Sequence, residues 1–379
     1  MDKSNEMKKN EATEVSQIDT LFERISGLIE QARRFVTNSV NVAEVRTRFE
    51  VGRYIFESEQ QGTRAEYGKQ VLKNLSVRLI ERFGSGWSYD MLKRCRFFYQ
   101  AYGNAAIGAT ALPQLENDAD TIDKEDDTNW GNGVATIQQP RFTLSWSHYL
   151  VLMRIENIEA RSFYEIECAE QQWSVKQLKR QVGSSLYERL ALSRNKDEVM
   201  RLAREGQTVE KPSDIIKNPL TLEFLGLKSD VAYTESKLEN AIIDKMQQFL
   251  LELGKGFLFE ARQKRFTFEE RHFYVDLVFY NRLLQCYVLI DLKTGDLTHQ
   301  DLGQMQMYVN YYTRELMNEG DNPPIGIVLC AEKNDAIVKY TLPEGNNQIF
   351  ASKYFTYLPT EEELKRELRI DEFQKLDEE

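Results

Sequence analysis

The residues whose types and spacing best suit chemistry are Asp276, Asp291 and Lys293. Each aspartate interrupts an apolar run rich in β-branched and aromatic residues, Phe273–Tyr280 and Leu284–Leu292, where a buried strand ordinarily carries no charge. Lys293 lies two residues beyond Asp291, so in an extended chain the two point to one face. Acids at paired strand ends are costly to bury unless something compensates them, and a divalent cation is an efficient partner. The chemistry this suits is phosphodiester hydrolysis, in which a metal generates the nucleophile and stabilises charge on phosphorus. Mg²⁺ (with Mn²⁺ as a substitute) prefers one or two carboxylates, with waters and substrate oxygens completing its shell. Asp276 and Asp291 supply carboxylates, the carbonyl of Leu292 a further ligand, and Lys293 an amine that orients water or offsets charge.

These residues need a scaffold, and the surrounding pattern provides one. The polar break Asn281–Arg282 between the two runs is a hairpin signal. A helical apolar period covers Glu235–Leu253, with Glu239 at the edge of the buried stripe, where it adds a third carboxylate. Strands follow at Phe257–Gln263 and in the two runs, then a helix over Thr298–Met317. On that helix Gln304 and Tyr308, four apart, share a face and are placed to hold the water or the scissile phosphate. A strand at Ile325–Cys330, a short helix at Asp335–Tyr340 and a strand at Ile349–Tyr354 complete a small mixed sheet flanked by helices. Arg262, Lys264, Arg265 and Arg271 cluster just before the first catalytic strand, where they form either a solvated hairpin edge or a contact to a DNA backbone. His299 reads as a surface or supporting residue.

Outside residues 103–141 the N-terminal half is helical in period, from Ile18 through Glu205, with residues before about Val15 expected to be disordered. Tyr67–Tyr102 reads as two helices joined by a Gly-containing turn, with Ser88 as N-cap of the second. Arg78, Arg82, Lys93, Arg94 and Arg96 give that segment a local basic excess, consistent with either a solvated face or phosphate contacts. Trp87, Trp146 and Trp173 read as core. Residues 103–141 are acidic and without period, a long loop or insertion, and the polar stretch Gly206–Asn218 marks the domain boundary. The expected organisation is a helical domain over 18–205, putting DNA or a protein partner on its surface, a second domain over 219–358, and an acidic helix or tail over 359–379.

The arrangement resembles the PD-(D/E)xK endonuclease superfamily, with Asp276 as the first acid and Asp291–Leu292–Lys293 as the D/E-x-K element. Gln304–Met305–Gln306–Met307–Tyr308 resembles the QxxxY motif of its RecB-like branch, and Glu239 the acid of the first core helix. The whole chain is similar to the YhcG-type bacterial proteins, through Glu223–Leu227, Leu250–Phe257, Asp276–Tyr280, Tyr67–Lys69 and Phe83–Gly84. The resemblance implies an all-α N-terminal domain, expected to bind DNA, followed by an α/β restriction-endonuclease-like domain with a metal-dependent DNase core. A homodimer fits it too, since a single core of this type cuts one strand per site. The chain departs from many relatives in carrying Asp at the D/E position and in the length of the acidic loop.

The net charge of −11 does not exclude a nucleic-acid partner. The segment Asn104–Thr128 and the tail Thr360–Glu379 together carry all of it, leaving a body near neutrality that can present a local basic face. No apolar run approaches the ~18–20 residues of a membrane span. The start of the chain lacks a secretory core, and the four cysteines are scattered without a CxxC pair. Reduced core thiols in a cytoplasmic protein are the expectation. No glycine-rich phosphate loop occurs, which argues against an NTP-driven motor. The readings carried forward are a metal-dependent endodeoxyribonuclease in DNA processing or defence against foreign DNA, a non-cleaving DNA-binding or interaction scaffold on the same fold, and a partner protein in a toxin- or restriction-like system.

Overall fold

A computed structural model describes residues 3–60, 65–108, 142–191, 196–227, 233–268, 270–360 and 363. The chain divides into two compact units, Met1–Leu178 and Lys179–Glu379. The first is helical throughout its described residues: α1 (Lys3–Gln60), α2 (Ala65–Phe83), α3 (Tyr89–Gly108), α4 (Trp146–Leu152), α5 (Ile158–Glu170) and the start of α6 (Val175–Gly183). Helix α1 starts well ahead of Val15, where disorder was expected. It packs closely on α3 because Gly52 has no side chain; a Cβ there would lie 2.0 Å from the Cys95 carbonyl oxygen. Around that crossing Val45, Phe49, Leu92, Cys95 and Phe98 are buried. The Phe98 ring centre lies 5.2 Å from those of Phe142 and Trp146 and 5.3 Å from that of Tyr149. Trp146 and Trp173 are buried, as core residues should be, and Trp87 is half-buried beneath the Arg48 guanidinium. Between α2 and α3 a 3-10 turn, Ser85–Trp87, follows Gly84 at φ 90°, and the Ser88 hydroxyl accepts the Met91 N–H at 3.3 Å.

The second unit continues with α7 (Leu186–Ala191), α8 (Lys196–Glu205), β1 (Leu220–Thr221), α9 (Glu235–Asp244), α10 (Met246–Leu253), β2 (Phe257–Phe268), β3 (Arg271–Asn281) and β4 (Cys286–Leu292). Then come α11 (His299–Tyr311), running into a π-helical turn at Tyr312–Leu316, β5 (Ile325–Cys330), α12 (Asp335–Thr341) and β6 (Ile349–Phe355). The six strands form one mixed sheet in the order β1-β6-β5-β4-β3-β2, antiparallel from β2 to β4 and parallel from β4 through β6 to β1. Alternation along β4 sorts its residues: Val288, Ile290 and Leu292 join Leu238 and Ile242 of α9 and Phe249 of α10, while Leu289 joins Leu302, Met305 and Val309 of α11. Helices thus cover both faces of the sheet.

Several boundaries differ from those the sequence suggests. The single helix expected over Glu235–Leu253 breaks at Lys245, whose φ of −118° and ψ of 30° are not helical. Strand β2 runs five residues past Gln263, because β3 pairs with it as far as Phe268. The two-residue strand β1 was not foreseen. Residues 103–108 belong to α3 rather than to the acidic loop; residues 109–141 of that loop, and the tail 359–379 except 359, 360 and 363, lie outside the described residues. The division between units falls at Leu178/Lys179, ahead of the Gly206–Asn218 boundary, and the reason is a buried carboxylate. Glu252 accepts from Arg189 Nη1 at 2.6 Å, from the Thr221 N–H at 2.9 Å and from Arg180 Nη1 at 3.0 Å. Lys217 donates to the Glu252 carbonyl oxygen. These bonds anchor residues 180–221 on α10. Burial alone would raise the Glu252 carboxyl, but Arg189, Lys217 and Arg180 outweigh it and hold the group down at about 2. All four cysteines are buried and unpaired, and no helix among the described residues is long and apolar enough to cross a membrane.

Removing the Glu252 charge strands the fully buried Arg189 guanidinium without a carboxylate, while Arg180 keeps Glu223 at 2.8 Å. Glu252→Ala is therefore expected to destabilise the chain by about 3–5 kcal/mol. Lys211→Ala, which breaks the exposed pair with Glu198, should cost less than about 1 kcal/mol. Urea unfolding of the two variants measures the contrast.

Candidate active site

The β3–β4 ladder ends with Leu277 opposite Ile290, so Asp276 and Asp291 are the next residues along, where the strands part. Parting leaves the Leu292 N–H without a ladder partner on β3, and the Asp276 carboxylate takes it, Oδ2 accepting at 2.8 Å. Asp291 stays in register with Val328 of β5 and is only 2 % exposed. Burial, and then the Asp276 carboxylate, push its carboxyl up to about 7 against the pull of Lys293. The Lys293 ammonium lies 2.8 Å from Asp291 Oδ2, with Glu235 at 3.9 Å and Asp301 at 4.0 Å. Burial draws the lysine down, but Asp291 first, with Glu235 and Asp301 behind it, more than reverses this and keeps it above its ordinary value.

Glu239 on α9 joins the same cluster through Gln263 of β2. The Gln263 amide donates to Glu239 Oε2 at 2.8 Å and to Asp276 Oδ1 at 2.9 Å. The other Glu239 oxygen faces Arg262 Nε at 3.1 Å. Gln304 and Tyr308 are arranged differently from the expectation. The Gln304 amide donates to the Tyr308 hydroxyl, which donates to the Tyr274 carbonyl oxygen at 2.8 Å. Tyr308 is 1 % exposed and acts as a strut from α11 to β3 beside the carboxylates, its phenol raised to about 12 chiefly by burial. His299 is exposed at the first position of α11.

Of the basic residues, Arg262 turns inward to Glu239, Lys264 pairs with Glu260 at 3.3 Å, and Arg265 lies 3.1 Å from the His272 ring. In the helical unit Arg96 is clamped by both oxygens of Glu59 at 2.9 Å, whereas Arg78, Arg82, Lys93 and Arg94 are exposed. Two site residues were missed from sequence. Asp301 sits in a capping box with Thr298, a pattern that the T-x-x-D spacing announces. Gln263 has no such signal, since its role depends on strand register and backbone conformation.

The donor set fits a hard divalent cation. Asp291 Oδ2 and Glu239 Oε1 are buried and accept no hydrogen bond, their nearby cations lying off hydrogen-bond geometry. Both Asp276 oxygens accept one bond each, which leaves each a lone pair. Among the described residues no three of His, Cys, Asp and Glu close into a ready cage. Two strand carboxylates are the usual complement for Mg²⁺, which keeps most of its shell for water and phosphate. The residues that would hold the ion are Asp276 and Asp291, with the Leu292 carbonyl and Glu239 nearby.

A mixed sheet covered by helices on both faces, with D…DxK at the parting of two strands, defines a PD-(D/E)xK nuclease domain. Residues 213–369 match the family model described as the YhcG PDDEXK nuclease domain, and residues 24–189 match the DUF1016 N-terminal domain. The chain is 38% identical over 349 residues to the Escherichia coli (strain K12) protein named "Putative nuclease YhcG", covering 92% of each. It belongs to the YhcG family of PDDEXK nucleases. Among solved structures, a repair endonuclease from Pyrococcus abyssi is similar over 33% of this chain and 49% of its own, at 21% identity and a TM-score of 0.24. A complex of EndoMS with double-stranded DNA is similar over 35% of this chain and 49% of its own, at 18% identity and the same TM-score, 0.24. The chain thus spans about half the length of either structure.

Between the ordinary aspartate range and about 7 the folded, metal-free chain holds a proton on Asp291 that the unfolded chain has lost. Stability contributed at this site is therefore greatest at low pH and falls as pH rises through 7. With chelator present, wild type should lose stability relative to Asp291→Asn between pH 4 and 8, by on the order of a few kcal/mol. Thermal melts of both proteins across that range check it; parallel profiles would contradict the assignment.

Proposed function

We propose that the chain is a Mg²⁺-dependent endodeoxyribonuclease acting in DNA processing or in defence against foreign DNA. The observation that carries this reading is the placement of Lys293, 2.8 Å from a buried carboxylate that has a second carboxylate beside it at the end of the sheet. When bound, the ion would supply a nucleophile at neutral pH and offset charge on the phosphoryl group. The chain's own residues do the rest. Asp276 is oriented by the Leu292 N–H and by Gln263, so its free lone pairs keep a fixed direction. Lys293 holds its proton and presents a positive charge at the mouth of the cluster, where it orients water and meets developing charge on phosphate oxygen. Glu239 adds negative charge from α9 and strengthens the demand for a cation.

In the helical unit Arg78, Arg82, Lys93 and Arg94 are the exposed cations that suit phosphate contacts, whereas Arg96 is committed to Glu59. Arg262, Lys264 and Arg265 supply a further set near the site, each with a partner it must leave, or share, to reach DNA.

Two experiments test the reading. Lys293→Ala should leave DNA affinity within a few-fold and lower the cleavage rate at least roughly a hundredfold, the scale of losing one transition-state charge partner. The assay uses linear, circular, single-stranded and branched DNA with Mg²⁺ or chelator. Wild-type rates for the variant would sink the mechanism, and intact binding with no cleavage by either protein would favour a DNA-binding scaffold. Lys93→Ala/Arg94→Ala should flatten the slope of log affinity against log salt by about two units, roughly 0.9 for each duplex phosphate that the variant no longer neutralises. An unchanged slope, measured by fluorescence anisotropy, would rule out phosphate contacts there and make that face a solvated or protein-docking surface.

A further inference from the structure

Gln263 belongs to the carboxylate cluster but lies outside the D…DxK motif. Gln263 stands between Arg262, paired with Leu277, and Lys264, paired with Val275, so it lies across from Asp276. It sits inside a strand, yet its φ is 46°. That is the left-handed region, which few residues with a Cβ adopt and which persists only where the surroundings impose it. What the side chain does there accounts for the conformation. Its amide nitrogen bonds Glu239 Oε2 and Asp276 Oδ1 at once, joining a carboxylate on α9 to one on β3. Both partners accept only, so the nitrogen and not the amide oxygen must face them.

The residue type matters. Two carboxylates drawn to one point repel each other. A lysine or arginine between them would neutralise them and stand in for a metal ion. A glutamate would add to the repulsion. A neutral amide with two N–H groups fixes both carboxylates and leaves their charge available. The oxygens it does not touch keep acceptor capacity: Glu239 Oε1 is buried without a hydrogen bond, with the half-exposed Arg262 Nε at 3.1 Å off hydrogen-bond geometry, and Asp276 Oδ2 accepts only from the Leu292 N–H.

We propose that Gln263 is a positioning residue that locks Glu239 to Asp276 and so sets the geometry in which the carboxylates receive a divalent cation. It acts through those two side chains and does not touch the substrate. The inference rests on the nuclease reading above, since it presumes that Asp276 is a metal ligand.

The test is Mn²⁺ binding by isothermal titration calorimetry on the full chain without DNA. Gln263→Met keeps length and removes both donors; it should weaken Mn²⁺ binding roughly 10–100-fold, the usual effect of losing a partner that orients a metal ligand. Gln263→Gly relieves the left-handed backbone and also removes the amide, so it should fold at least as well as wild type and lose the same affinity. In a Glu239→Ala background, which removes the acceptor, the loss caused by Gln263→Met should shrink, because the residue acts through Glu239; a purely structural role would cost the same in both backgrounds. Wild-type affinity in Gln263→Gly, or an equal loss in both backgrounds, would overturn the proposal. If both Gln263 variants bind as wild type does while Asp276→Asn does not bind, the positioning role fails and the nuclease reading stands. If wild type itself binds no Mn²⁺ and cuts no DNA, both fail.

Discussion

Asp291 is buried beside a second carboxylate, and the domain is arranged around that repulsion. A single ionised acid in an apolar interior is costly, and two adjacent ones are costlier. The sheet places them there by geometry: β3 and β4 separate after Leu277 and Ile290, and the residues at the point of parting are both aspartates. Each neighbouring feature offsets part of the cost. The Leu292 N–H satisfies one oxygen of Asp276, Gln263 satisfies the other, and Lys293 brings a positive charge to Asp291. The offset is incomplete, because the Asp291 carboxyl still stands near 7.

The same unit shows what complete compensation looks like. Glu252 is equally buried, yet three cations and a backbone N–H surround it and it stays ionised down to about 2. That carboxylate is structural: it fastens the chain from Arg180 to Thr221 onto α10 and moves the unit boundary toward the N-terminus. The contrast separates the two kinds of buried acid. One has its partners already in the protein; the other keeps an oxygen, Asp291 Oδ2, without a hydrogen bond.

Much of this was legible in the sequence. Alternation makes a charged residue in a strand conspicuous, so Asp276, Asp291 and Lys293 declare themselves, and the apolar period around Glu239 places it on the inward edge of α9. The helices and five of the six strands follow from period and composition, and the family resemblance fixes their arrangement. What escaped depends on three-dimensional register. Gln263 becomes a partner of Asp276 only once β2 and β3 are aligned and its backbone turns left-handed. Tyr308 shares a helix face with Gln304, as the four-residue spacing requires, but the spacing cannot say that its hydroxyl is committed to the Tyr274 carbonyl. Arg96 looked like its basic neighbours until α1 brought Glu59 against it. Polarity marks Gly206–Asn218 as a boundary, and the family models change over between residues 189 and 213; the buried ion network reaching back to Arg180 is invisible to either.

The central claim is that the two aspartates at the parting of β3 and β4 form a divalent-cation site. Anomalous diffraction from crystals grown with Mn²⁺ tests it most directly. The account predicts a peak in contact with both the Asp276 and the Asp291 carboxylates, absent from crystals of Asp291→Asn. No peak there, or a peak that persists unchanged in the variant, would contradict it.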